Sequence, residues 1–488
     1  MLTVWINKAQ FEYDIHSLVK AFYPEEEVKV LCAEGEKRDH RIAIEFGETF
    51  IKMTLNVQDE PQAEMKVSEI SHSPDADRQT VKNLLKQLIY NSLSILLEKK
   101  LPWGTLTGIR PTKIPMTMLE EGKEESQIMS FMQDTYFISE EKGVLSIDIA
   151  KRERDILSRL HYKDGYSLYI GIPFCPTTCL YCSFTSYPIC MWKNRVDDYL
   201  EALEKEMAFT SSALSDKVLD TVYIGGGTPT TLEPEELERL LCSLERFFDL
   251  SRLQEFTVEA GRADSITREK LRVLKKHNIT RISVNPQTMK EETLKLIGRH
   301  HTVAQVKEAF ESAREEGFDN INMDIILGLP EETIEDVVHT MEEIKKLRPD
   351  SLTVHSLAIK RASRMSSWIE EKGLSTLRNT DETMGIAEQA ARAMGMEPYY
   401  LYRQKNMSGN FENVGYAQPG KYGIYNILIM EELQTIAALG AGCISKAVLG
   451  DGRIERMENV KDVSLYIERI DEMIERKRKL LEKPFKTV

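Results

Sequence analysis

Cysteine is scarce in this chain, with seven among 488 residues. That excludes a disulfide-stapled secreted scaffold, and where thiols stay reduced a cluster of them points to a metal or to catalysis. No apolar run reaches the length of a membrane span, and the charged start MLTVWINKAQFEYD lacks a signal-peptide pattern. A cytoplasmic location without a membrane span is therefore expected. An excess of basic residues is also missing. Against 64 Lys and Arg stand 78 Asp and Glu, and the formal net charge of -14 argues against a nucleic-acid-binding body. The run Arg476-Lys477-Arg478-Lys479 is expected to be a solvated face of a terminal helix. With 42% hydrophobic and 29% charged residues, the chain has the composition of a globular protein, long enough for two or three domains.

Residues 1–100 read as a small α+β domain. RIAIEFGETFIKMTLN (41–56) alternates around a Gly-Glu turn as a hairpin would, and 77–99 has helical spacing behind Asp77 as a cap. A helical linker is expected over 101–164, opening with the Gly/Pro-punctuated LPWGTLTGIRPTK. From 165 to 360, six β-rich segments alternate with amphipathic helices: YSLYIGI, TVYIGGG, EFTVEAG, RISVNPQ, NINMDIILG and SLTVHSL. Helices fit at about 194–213, 234–246, 267–277, 290–298 with 302–316, and 332–346. This alternation implies parallel strands with crossover helices, an α/β protein built on a six-unit partial TIM-like (β/α) barrel or an open parallel sheet. Residues 361–488 are expected to form a mainly helical C-terminal region that covers the substrate. Within it YYLYRQKNMSGNFENVGYAQPG (399–420) reads as a functional loop, LGAGCIS (439–445) as a tight glycine segment, and 461–482 as a closing helix.

Unusual residues fall at the carboxyl ends of the six strands, where such folds bind ligands. The loop IGIPFCPTTCLYCSF follows the first strand, Gly225-Gly226-Gly227-Thr228 ends the second, Glu259 the third and Gln287 the fourth. Asp324 lies near the end of the fifth, and His355 late in the sixth. Cys175, Cys179 and Cys182 are spaced C-x3-C-x2-C. Three thiolates can bind three irons of a [4Fe–4S] cubane and leave the fourth iron open to a small molecule. Zinc completed by a distant residue, or plain buried cysteines, is the alternative on spacing alone. Common zinc sites add a second cysteine pair, and this sequence has none.

Y-I-x-I-P-F-C-x3-C-x-Y-C followed by G-G-G-T-P-T resembles the radical S-adenosylmethionine (SAM) enzymes, specifically the oxygen-independent coproporphyrinogen III oxidase (coproporphyrinogen dehydrogenase) branch. YIGGGTPT, RISVNPQ, GRHHT and MDIILGLPEET recur in that branch's order, and PWGTLTGIRPTK with LYRQKNMSGN resembles its longer HemZ-type group. The resemblance implies a radical SAM barrel whose Cys175, Cys179 and Cys182 ligate the cluster while the open iron chelates SAM. It further implies that Tyr169, Tyr181, Gly226, Glu259 and Ile444 lie against that SAM. Gly227, Thr228, Gln287, Arg299, Asp324 and Ala358 match contacts to a second SAM. No residue is assigned as an acid or base; His355, His300 and His301 are unassigned, with solvent exposure expected for the last two.

The reaction implied is oxidative decarboxylation of coproporphyrinogen III to protoporphyrinogen IX by a 5′-deoxyadenosyl radical, in anaerobic haem biosynthesis, with flavodoxin or ferredoxin as electron donor. Four propionates on that tetrapyrrole call for basic partners, and Lys360, Arg361, Arg364, Arg403 and Lys405 are the candidates. Two departures bear on the reaction. Phe184 stands where the best-characterised oxidases have a further cysteine, and Gly171 replaces the histidine of their H-I-P-F-C entrance. A haem-binding chaperone and a radical SAM enzyme acting on another tetrapyrrole therefore stay open as alternatives.

Overall fold

Strand alternation and turn glycines shape the amino-terminal part of the chain. The computed structural model describes residues 1–32, 41–56, 65–161, 165–360, 363–373, 377, 379–404, 411–450 and 452–483. Two compact units emerge, Met1–Ala150 with Arg403–Asn406 and Lys151–Tyr402 with Met407–Val488. In the first, a five-stranded sheet runs in the order Val28–Cys32, Leu2–Ile6, Ile42–Phe46, Phe50–Asn56, Met65–Ser71. Ile42–Phe46 and Phe50–Asn56 pair antiparallel as the expected hairpin, whose turn is closed by Gly47 N–H donating to Phe50 O at 2.9 Å. Buried and half-buried residues alternate along Phe50–Asn56, so one face joins a core with Leu18, Phe22, Leu85 and Ile89 from helices Glu12–Phe22 and Arg78–Leu97. Asp77 caps the second helix by accepting from Thr80 N–H at 2.8 Å.

The boundary expected at residue 100 lies instead at 150. Helices Glu125–Tyr136 and Glu140–Leu157 are not a spacer. They bury Ile128, Met132 and Ile147 in a core of their own. Gln87 Nε2 also donates to Thr135 O at 3.0 Å, and the Tyr90 and Phe137 rings lie 5.6 Å apart.

The second unit is one eleven-stranded sheet, with strands here numbered in chain order: β1 (Gly165–Ile172), β2 (Val218–Gly226), β3 (Glu255–Glu259), β4 (Arg281–Ser283), β5 (Ile321–Leu327), β6 (Ser351–Ser356), β7 (Glu397–Tyr402), β8 (Asn413–Ala417), β9 (Thr435–Leu439), β10 (Ile444–Val448) and β11 (Ile454–Glu458). Their spatial order is β7-β8-β6-β5-β4-β3-β2-β1-β9-β10-β11. Strands β1 to β6 are parallel neighbours in sequence order, and the sheet does not close on itself, so the barrel is partial. Crossover helices are Val196–Ala213, Pro234–Phe247, Arg268–Lys276, Glu291–Leu296 with Val303–Glu315, and Ile334–Leu347, as the periodicity requires.

Beyond β6 helices predominate among the described residues, and five strands extend both edges of the sheet. The structure corrects two expectations there. Stretch 399–420 is core at its two ends: β8 is buried throughout and pairs antiparallel with both β6 and β7. Its tyrosines and β-branched residues are strand formers on a buried surface. Lys477, expected in solvent, is wholly buried. Helical spacing puts it on the face of Ile470, Met473 and Leu480, in the helix Ile470–Leu481, which a break at Arg469 separates from Val463–Glu468.

Lys477 Nζ lies 2.7 Å from Glu206 Oε1, with both side chains fully buried, and also donates to Ala438 O. Glu206 accepts in addition from Gly440 N–H, Asn459 Nδ2 and Tyr466 O–H. The helix of the first crossover, the closing helix and the turn after β9 thus meet at one satisfied carboxylate. Lys477→Met should lower unfolding free energy by about 3–5 kcal/mol, because it leaves a buried charge uncompensated. Chemical denaturation checks this, and an unchanged midpoint would contradict it.

Candidate functional site

The cysteine loop opens on a two-residue strand, Phe174–Cys175, paired parallel with Tyr187–Pro188, and otherwise takes its shape from its neighbours. Gly227 N–H donates to Ile172 O and Thr228 N–H to Phe174 O, each at 2.7 Å. On the other side Leu180 N–H donates to Ile297 O and Thr177 Oγ1 to Gly298 O, both at 2.9 Å. Buried Arg262 donates to Thr177 Oγ1 at 2.8 Å, is paired with Asp264 at 2.6 Å, and lies 3.9 Å from Cys179 Sγ. Arg364 holds Thr178 O. Several of the loop's carbonyls are spent on this scaffold, among them those of Phe174, Thr177 and Thr178, and three free thiols remain. Cys175 Sγ is 3.5 Å from Thr228 Oγ1. Burial pushes the Cys175 thiol up to about 11 and that of Cys182 upward, so without a metal both are protonated.

Glycine is required where the loop meets β2. A Cβ on Gly227 would lie 2.5 Å from Phe174 O, and Gly226 has φ of +106° beside the Ile172 backbone. Strand pleating then sets a row of inward side chains along the carboxyl edge. Tyr169 on β1 and Tyr223 on β2 are register partners and stack at 6.0 Å; Tyr425 stacks on Tyr223 at 4.6 Å. Tyr223 O–H donates to Glu259 Oε1 at 2.5 Å. Gln287 follows β4 and is bridged to Ile325 of β5, with φ of +68°, a strained conformation for a side chain of this kind. Asp324 accepts from Asn322 Nδ2 at 2.7 Å, and His355 Nε2 lies 4.0 Å from its other oxygen. Tyr181 packs against the apolar cluster that includes Ile297, Leu329 and Leu357. Ile444 opens β10, 42% exposed, and Ala358 follows β6 with partial exposure.

Several buried polar atoms along this edge have no hydrogen-bond partner: Ser283 Oγ, Asn285 Oδ1, Gln287 Oε1 and Arg299 Nε. Arg299 is buried and donates through Nη1 to Asn285 O. Such atoms are costly unless a ligand or water satisfies them.

Other candidates are placed differently. His300 is exposed as expected, but His301 is buried, 3.8 Å from Asp264. Arg403 belongs to the first unit, where it is 4% exposed, donates to Leu106 O at 2.5 Å and lies over the Trp103 ring. Those contacts commit it to structure. Lys360 and Arg364 stand beyond β6, whereas Arg361 and Lys405 lie outside the described residues.

Residues 169–344 match the family model described as the radical SAM superfamily. The chain is 40% identical to the oxygen-independent coproporphyrinogen-III oxidase-like protein HemZ of Bacillus subtilis, across 98% of its own length and 97% of the relative's. The chain belongs to the radical SAM superfamily, in its HemZ-like group. To the heme chaperone HemW of Bacillus subtilis it is 41% identical over 194 residues, 40% of this chain and 50% of that one. A solved structure, the radical SAM coproporphyrinogen III oxidase HemN of Escherichia coli, shares the fold: the TM-score is 0.50 with 21% identity, covering 66% of this chain and 73% of that one.

Radical SAM proteins use a [4Fe–4S] cluster and SAM, and the residues present fit both. Three pinned thiols leave one iron of a cube open, the β2 glycines clear space beside them, and the orphaned polar atoms await partners. Two contributors were missed in the sequence. Tyr223 is two residues before Gly225, on the same inward face, and strand period could have found it. Arg262 gives no such signal, since its reach into the cysteine loop is a matter of tertiary packing.

Gly227→Ala should cut the iron bound after anaerobic reconstitution several-fold although every cysteine is intact; wild-type iron content would refute the close approach. Burial lifts Glu259 to about 7, the Tyr223 hydrogen bond opposes this and the charge of Asp324 adds to it. The folded carboxyl thus holds its proton more tightly than the unfolded one, and its burial penalises folding increasingly as pH rises from 4.5 through 7. Glu259→Gln should raise the cofactor-free Tm more at pH 8 than at pH 5.5. Equal gains at both would show that Glu259 is not the ionising group.

Proposed function

We propose that this protein carries out oxygen-independent oxidative decarboxylation of coproporphyrinogen III to protoporphyrinogen IX. The observation that carries the reading is the end-to-end similarity to an oxidase-like protein, spanning 97% of that relative. Cys175, Cys179 and Cys182 would hold the cluster, with Tyr169, Tyr181, Gly226, Glu259 and Ile444 around the cluster-bound SAM. Gly227, Thr228, Gln287, Arg299, Asp324 and Ala358 would receive a second SAM, a role supported by the unpartnered Gln287 Oε1 and Arg299 Nε. When bound, the cluster and SAM supply a 5′-deoxyadenosyl radical able to take hydrogen from a propionate β-carbon.

The chain's own work is placement and exclusion. Arg262 and Arg299, buried cations beside the loop, favour the negative charge of a thiolate-bound cluster. Glu259 offers a carboxylate to the ribose or to the cationic sulfonium. Lys360, just beyond β6, is suited to a substrate propionate. Flavodoxin or ferredoxin would be the electron donor, in the cytoplasm; among the described residues no helix is long and apolar enough to cross a membrane.

A second reading, a haem-binding chaperone, is favoured by Phe184. It occupies the position of the oxidases' further cysteine and is 75% exposed. The test is anaerobic reconstitution with iron and sulfide, then incubation with SAM, reductant and coproporphyrinogen III. SAM-dependent protoporphyrinogen is expected. Deoxyadenosine release with an unaltered tetrapyrrole, together with tight haem binding, would favour the chaperone instead.

A further inference from the structure

On the outer layer of the partial barrel, the consecutive crossover helices Pro234–Phe247 and Arg268–Lys276 bring three unlike donors together. Glu238 and Cys242 are four residues apart on one face of the first helix, and His277 ends the second. One ligand atom from each lies within 4.8 Å of the others, the one such set of three among the described residues. None of the roles assigned to the strand-edge row involves them. His277 precedes β4, on the amino side of the sheet, whereas that row lies at the carboxyl edge.

The imidazole is the informative member. His277 is 5% exposed, with Nδ1 2.8 Å from Glu245 Oε1. With the proton on Nδ1, donated to Glu245, the lone pair lies on Nε2, the arrangement by which carboxylates orient metal-binding histidines. Nε2 is buried without a hydrogen-bond partner and aims at the cluster, 3.2 Å from Glu238 Oε2. A lone pair facing a carboxylate oxygen at that distance is repulsive until a cation comes between them. Cys242 Sγ stands 3.8 Å from Glu238 Oε1. Lys276 pairs with that same oxygen, leaving Oε2 to face the imidazole. Cys242 is exposed, so an ion reaches the set from solvent. The competing arrangement, an imidazolium held between Glu238 and Glu245, makes no use of the thiol.

We propose that Glu238, Cys242 and His277 form a zinc(II) site, completed by water, that clasps the two crossover helices. One sulfur, one nitrogen and one oxygen donor suit tetrahedral zinc and leave a fourth position open. On binding, the thiol releases its proton to solvent and no electron moves.

The test uses the full-length, cluster-reconstituted protein, equilibrated with micromolar free zinc and assayed for zinc and iron. One zinc per chain beyond the cluster iron is expected. His277→Gln and Cys242→Ser should each weaken zinc binding at least about tenfold, and Glu245→Gln by about 10–100-fold, with iron unchanged. Zinc-edge X-ray absorption should show one sulfur at about 2.3 Å with nitrogen and oxygen neighbours. No zinc in the wild type, equal zinc in the variants, or a three-sulfur zinc shell would overturn the assignment. Should His277→Gln fail to fold, Cys242→Ser at an exposed position decides.

Discussion

Two backbone hydrogen bonds carry the site: Gly227 N–H to Ile172 O and Thr228 N–H to Phe174 O. They continue the β1–β2 ladder past the point where the strands themselves end. Inside the C-x3-C-x2-C loop one backbone bond, Cys182 N–H to Cys179 O at 3.3 Å, links two of the cysteines, and the sulfurs are otherwise placed by what the loop leans on. The lack of a Cβ at Gly227 is what makes the approach possible. Arg262, Arg364 and the 297–298 backbone complete the cradle, and each meets a different part of the loop. A side chain that fills one of these contacts would therefore disturb cluster geometry without touching a ligand.

The far side of β1 is secured by a separate device. Tyr199 O–H donates to Gly171 O at 2.6 Å and accepts from Ala441 N–H at 3.1 Å, which ties the entrance of the cysteine loop to the turn between β9 and β10. Glu206 and Lys477 hold that turn from behind. A Cβ on Gly171 would lie 2.3 Å from Cys443 Sγ. This explains why the entrance has glycine here: the space a larger side chain would fill belongs to the sulfur of Cys443.

Much of this was legible beforehand because the signals were periodic. Six strand-helix alternations predicted six parallel strands in order, and the polar residues at their ends fell on one edge because parallel strands share a direction. The residues that sequence reasoning misjudged depend on partners remote in the chain. Lys477 reads as one of four basic residues until Glu206 is placed beside it. His301 reads as exposed next to His300, and Arg403 as a partner for substrate propionates until it is found bound to Leu106 O. The tyrosine-rich stretch 399–420 looked irregular because its two strands, Glu397–Tyr402 and Asn413–Ala417, are short.

The pairing of β1 with β9 has a consequence for how the protein comes into being. Register partners such as Tyr169 and Ala438 are joined only when the chain is nearly complete, so this seam is among the most non-local contacts in the molecule. During synthesis the thiol loop emerges long before the segment that walls one flank of its strand. The flank of β1 that β9 covers is therefore completed late, after the rest of the parallel sheet has been made.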